Sequence, residues 1–130
     1  MSSTKSRADW RGTQVKMKAN PEGGKLHRPL MLPIERLTRS NTKENLWIYI
    51  LSLLKRREIY AWEIPVLVEK EFNFKPGRIT PYRALYRLEK TGFVKSQLKD
   101  RRRVYKITEK GRDELKNTKD FIKKILNKLE

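Results

Sequence analysis

The chain has 130 residues, which fits one domain able to bury a core without cross-links. It has no cysteine and one histidine, His27, which excludes a disulfide framework and most zinc constellations and makes histidine-based catalysis a poor reading. Lysine and arginine total 32 against 15 acidic residues, a net charge of +17, so a polyanionic partner is expected.

The excess is uneven. Residues 1–40 hold 9 basic and 3 acidic residues, 41–77 hold 6 and 5, 78–107 hold 10 and 2, and 108–130 hold 7 and 5. A surface charged only for solubility would mix the signs more evenly. No apolar run reaches membrane-spanning length, and the basic start lacks the apolar stretch of a secretory signal. The expectation is a cytoplasmic chain with no membrane contact, nucleoid-associated if the source is prokaryotic.

Residues 1–40 read as a basic, flexible arm, with the Pro21-Glu22-Gly23-Gly24 stretch, Pro29 and Pro33 interrupting any periodicity. Leu30, Met31, Leu32, Ile34 and Leu37 near its end are apolar enough to pack on a domain or a second subunit. Ser40, Asn41 and Thr42 offer caps for a helix over about 43–57. In that helix Leu46, Ile50, Leu53 and Leu54 share a face that Trp47 and Leu51 widen, so it is expected to be central. It ends in Lys55-Arg56-Arg57, cations suited to a helix C-terminus.

A second helix is expected over about 61–72 on Ile64, Leu67, Val68 and Phe72. Pro65 requires it to begin near Tyr60–Trp62, so that the proline falls in the first turn. Residues 73–77 read as a turn. A third helix follows over 80–91, with Thr80 as cap, Pro81 as first residue and Gly92 as stop. At 100° per residue, Leu85 and Leu88 point inward while Arg83 and Arg87 point away, one turn apart. An apolar back and an arginine front suit a major-groove reader, because arginine donates two hydrogen bonds to guanine.

Phe93, Val94 and Leu98 suggest one strand, and Val104, Tyr105 and Ile107 a second. Lys99, Asp100, Arg101 and Arg102 lie between them and Arg103 follows, so the hairpin tip would repel itself without a polyanion. Thr108 caps a last helix over about 109–128, whose Leu115, Ile122, Ile125 and Leu129 form a stripe at coiled-coil spacing that Phe121 and Leu126 widen. The fold class is α+β, mostly α: a winged helix-turn-helix with a three-helix core, a β-hairpin wing and a C-terminal helix. The expected division is an arm (1–40), a DNA-binding domain (41–108) and a dimerisation helix (109–130).

Three stretches resemble the PadR-like family of winged-helix transcription regulators. Ile50-Leu51-Ser52-Leu53-Leu54 through Ile59-Tyr60-Ala61-Trp62-Glu63-Ile64 is similar to the family's first helix and the start of its second, with Ala61 and Trp62 where glycine and tyrosine are usual. Tyr82 through Val94 is similar to its Tyr-x-x-Leu-x-x-Leu-Glu recognition helix and following Gly-apolar-apolar. Arg102 through Arg112 is similar to the wing's return strand and the Thr-x-x-Gly start of the last helix. The resemblance implies a homodimeric regulator with Tyr82, Arg83 and Arg87 at the groove and Arg101–Arg103 on the backbone.

The expected partner is double-stranded DNA. The contact set is Thr80, Tyr82, Arg83, Tyr86, Arg87 and Lys90 on the helix, with Lys99, Arg101, Arg102 and Arg103 on the wing. The dimerisation set is Leu115, Phe121, Ile122, Ile125, Leu126 and Leu129. A sequence-neutral architectural DNA- or RNA-binding protein fits the charge as well, but RNA sites favour exposed aromatics, and most here fall on core faces. A winged-helix protein adaptor leaves the basic stretch 78–107 unexplained. No enzyme, metal or cofactor is expected, since no phosphate loop, Cys–His pair or paired carboxylates stand out. Trp47 and Trp62 are read as core or interface residues ahead of the walls of an aromatic effector site.

Overall fold

The computed structural model describes residues 32–130, and their elements follow from the apolar periodicity of the sequence. They are α1 (Pro33–Ser40), a 3-10 turn (Lys43–Asn45), α2 (Leu46–Arg56), β1 (Ile59–Tyr60), α3 (Glu63–Phe72), α4 (Thr80–Lys90), β2 (Val94–Lys99), β3 (Arg102–Ile107) and α5 (Glu109–Lys128). Two compact units divide the chain, residues 1–39 and 40–130.

In the first unit, the part of the expected arm up to residue 31, with His27, Leu30 and Met31, lies outside the described residues. Its last eight residues are not irregular as expected but form α1. Pro33 can open this helix because its missing N–H would have no intrahelical acceptor there. Glu35 then folds back, its Oε1 accepting from the Leu32 N–H at 3.0 Å, and its side chain is buried.

In the second unit, α2 is the axis. Ile50, Leu51 and Leu54 are fully buried, and α2 touches α3, α4, α5 and β3. The expected side-chain caps do not form. Asn45 instead donates to the Ser40 carbonyl and accepts from Trp47 Nε1 at 3.1 Å, so a 3-10 turn leads into a helix starting three residues later than expected. Beyond its last turn Arg57 contacts Glu63 at 3.5 Å, and Arg56 meets Glu71 at 2.7 Å, bracing α2 against α3.

Helix α3 starts at Glu63, which places Pro65 in its first turn as the sequence requires. Asn73 closes it in a left-handed conformation, and Phe74 then turns back into the core, edge-on to Tyr49 at 5.1 Å. Helix α4 begins at Thr80 rather than after it: Ile79 is the cap residue and no side chain caps the helix. It ends with Gly92 at φ +86, whose N–H donates to the Glu89 carbonyl while the Phe93 N–H reaches that of Leu88.

The hairpin is longer and tighter than expected. β2 and β3 pair antiparallel from Val94↔Ile107 to Lys99↔Arg102, so the loop is Asp100 and Arg101 alone. A third strand, β1, lies on the other edge of β3 with Ile59 opposite Tyr105, giving the order β1-β3-β2. Thr108 caps α5 as expected, its Oγ1 accepting from the Gly111 N–H at 3.1 Å. The second unit is a mostly helical α+β winged helix.

Candidate nucleic-acid interface

The candidate interface is built on α4. Leu85 and Leu88 are 1% and 5% exposed and fix its inner face on the core. Arg83, Tyr86 and Lys90 then occupy the outer face, flanked by Tyr82, Arg87 and Thr80, and all six are exposed. The Lys90 ammonium lies 5.4 Å from the centre of the Tyr86 ring and 3.4 Å from its hydroxyl. Arg83 and Arg87 make no side-chain hydrogen bond or ion pair with any described residue, which leaves both guanidinium groups available to a ligand.

The wing supplies the other cations, and they are not equivalent. Lys99 Nζ sits 3.2 Å from Glu58 Oε1, and Arg103 donates to Ser96 Oγ at 2.9 Å. Ser96 Oγ in turn donates to Glu89 Oε2 on α4 at 2.8 Å, so the base of the wing is tied to that helix. Arg103 keeps four of its five donors. Arg101 and Arg102, at the tip, have no side-chain partner among the described residues. Tyr105, beneath this network, has its hydroxyl pKa raised by burial and by the Glu89 carboxylate, against the opposing pull of Arg103 and a hydrogen bond to Ser96.

Sequence reasoning missed Glu58, Ser96 and Glu89 as wing tethers. Glu58 and Lys99 are 41 residues apart, and only the β1–β3–β2 order brings them together.

One flank of α4 also lines a groove of about 410 Å³, walled by Trp47, Arg83, Arg87, Phe93 and Glu114. Trp62, read with Trp47 as a core or interface residue ahead of an effector-site wall, is neither core nor part of this groove: it stands exposed before α3. On α5, Leu115 does not belong with the other residues of the expected dimerisation set: it is 4% exposed and part of the chain's own core, so it is not free for such a contact. Phe121, Ile122, Ile125, Leu126 and Leu129, beyond it, are all exposed. Among the described residues no acidic or histidine cluster could hold a metal, and no helix is long and apolar enough to cross a membrane.

The model of the transcriptional regulator PadR-like family matches residues 50–117, from the axis of the core to the first half of α5. The chain belongs to this family. Solved structures agree. A PadR family transcription regulator from Clostridium difficile is 33% identical, with a TM-score of 0.56 over 65% of this chain and 96% of that one. A transcriptional regulator from Clostridium thermocellum is 27% identical, with a TM-score of 0.59 over 76% and 97%. A PadR-like transcription factor from Bacteroides fragilis, at 23% identity and a TM-score of 0.62 over 72% and 95%, shares the fold. Among curated proteins none matches. The PadR match spans α2 to α5, and so contains both the arginine face of α4 and the wing.

Proposed function

We propose that this PadR-like regulator binds double-stranded DNA as a homodimer, with α4 in the major groove and the wing on the phosphate backbone. The observation that carries the reading is the placement of Arg83 and Arg87: exposed and, among the described residues, without side-chain partners, on a helix seated on the core by Leu85 and Leu88. Tyr82, Tyr86, Lys90 and Thr80 share their face, and the tip arginines extend the positive surface. The second half of α5 and Leu129 just beyond it, with five exposed apolar residues between them, join the two protomers, while residues 41–108 form the DNA-binding domain and 1–40 a basic arm.

The test is binding to random duplex DNA and to genomic fragments selected by the protein, each at two salt concentrations. A preference for a two-fold symmetric fragment that survives higher salt is the expected result, and the fragment gives the half-site spacing. Tight binding without preference that collapses with salt would replace base reading by an architectural role.

A further inference from the structure

The two-residue wing loop adopts a backbone that its sequence opposes. Asp100 and Arg101 have φ of 51° and 64°, both left-handed. With Lys99 paired to Arg102, they form the mirror-image turn of tight hairpins, which favours asparagine or aspartate and then glycine. Asp100 suits its place. Arg101 occupies the glycine position, where a Cβ crowds the following carbonyl. Nothing within the described residues offsets that strain: Arg101 is exposed and its guanidinium has no partner. The neighbouring cations differ on one count or the other. Lys99 and Arg103 are tied to Glu58 and Ser96, and Arg102 lies in a strand.

The paired strands hold the turn in this conformation, and backbone strain held by its surroundings clusters at sites where it serves function. We propose that Arg101 is the principal DNA anchor of the wing, a cation kept at the hairpin tip against the conformational preference of the turn. This rests on the duplex-DNA reading above and singles out one wing residue within it. Arg101 projects from the point of the wing furthest from the tethered base. It presents five donors to phosphate oxygens or a groove edge without competing for an internal acceptor.

The experiment measures thermal melting and duplex-DNA titrations, at two salt concentrations, for wild type, Arg101→Gly, Arg101→Lys and Arg102→Ala. Arg101→Gly is expected to melt higher by about 2–5 °C, because glycine relieves the turn, yet to bind about tenfold more weakly. Arg102→Ala removes the same charge from an unstrained strand. It should melt no higher than wild type and lose only about threefold. Arg101→Lys keeps charge and strain, so it melts like wild type and retains most of the low-salt affinity. Arg101→Gly melting no higher than Arg102→Ala would overturn the strain. Arg101→Gly binding as tightly as wild type would overturn the anchor while leaving the regulator reading intact. Wild type failing to bind any duplex would overturn the regulator reading itself, and this inference with it.

Discussion

The cations of the described residues differ in availability, and that decides what they can do. Arg56, Arg57, Lys99 and Arg103 have intramolecular partners, whereas Arg83, Arg87, Arg101 and Arg102 have none among the described residues. The exposed pairs contribute little to stability: both partners of Lys99–Glu58 are 40% or more exposed, and such pairs are screened by water and salt. Of these contacts, Lys99–Glu58 and Arg103–Ser96 are the ones that lie on the wing. The free arginines then divide by element. Arg87 on α4 should read a base, so Arg87→Ala is expected to lower affinity for the selected fragment by about 1–3 kcal/mol and relax its sequence preference. Equal losses on selected and random DNA would remove base reading from Arg87. Arg102 should meet phosphate, so Arg102→Ala is expected to weaken all sequences alike and reduce the salt slope by about 1. Affinity measured against salt on both DNAs checks this, and a loss confined to one sequence would contradict it.

At the scale of elements, tight contacts fix how α5 leaves the wing. Gly111, one turn into α5, passes so close to the hairpin that an added Cβ would lie 2.2 Å from the Phe93 carbonyl oxygen and 2.7 Å from the Ile107 side chain. The backbone atom cannot yield, so Gly111→Ala is expected to destabilise the domain by about 2–3 kcal/mol and lower Tm by roughly 10–20 °C. Chemical and thermal unfolding would show it, and a shift below about 2 °C would mean that α5 slides freely. A second element-scale device is Tyr49, which donates to the Asn41 carbonyl and packs edge-on to Phe72 at 4.8 Å. Burial raises its hydroxyl pKa above the usual 10.0. Below pH 10 both folded and unfolded chains hold that proton. Above it the unfolded chain releases the proton first, so this contribution to stability is lost as pH rises through the folded pKa. Melting from pH 8 to 11 should therefore fall more steeply for wild type than for Tyr49→Phe; parallel curves would refute the linkage.

These elements also show what the sequence made legible. Helices α2, α4 and α5 were readable because buried leucines and isoleucines recur at helical spacing, and Thr108 and Gly92 mark boundaries by side-chain and backbone chemistry that acts locally. Strand β1 was not, because two residues carry no periodicity and Ile59 becomes a strand only by pairing with Tyr105. Phe74 sits in a turn-like stretch, and its burial depends on a ring of α2 that lies far away in sequence. The start of α1 was obscured by Pro33, which reads as a breaker until Glu35 is seen folding back on Leu32. At the candidate interface, the arginine face of α4 follows from counting residues around a helix. Which wing cations are free depends on Glu58 and Ser96, and neither is marked by its neighbours in the chain.

For the whole molecule, a net charge of +17 bears on two equilibria with opposite signs. Association with DNA releases counterions, so added salt weakens it. The proposed self-association through α5 would bring two strongly positive chains together, and added salt would screen their repulsion. The surface available for that contact is apolar: Phe121, Ile122, Ile125, Leu126 and Leu129 are between 44% and 73% exposed, and Leu115 anchors the same helix in its own domain. The expected outcome is a dimer at micromolar concentration that tightens as salt rises, over the range in which DNA affinity falls. Ile125→Glu places a carboxylate in the stripe without touching the core. It should return the chain to its 15.6 kDa monomer and weaken binding to a two-half-site fragment far more than to a single half-site, since the second module loses its tether. Sedimentation equilibrium at low and high salt, run beside DNA titrations, separates the possibilities. A wild-type monomer would remove the dimer from the proposal. A dimer that loosens with salt would place ion pairs, rather than the apolar stripe, at its centre.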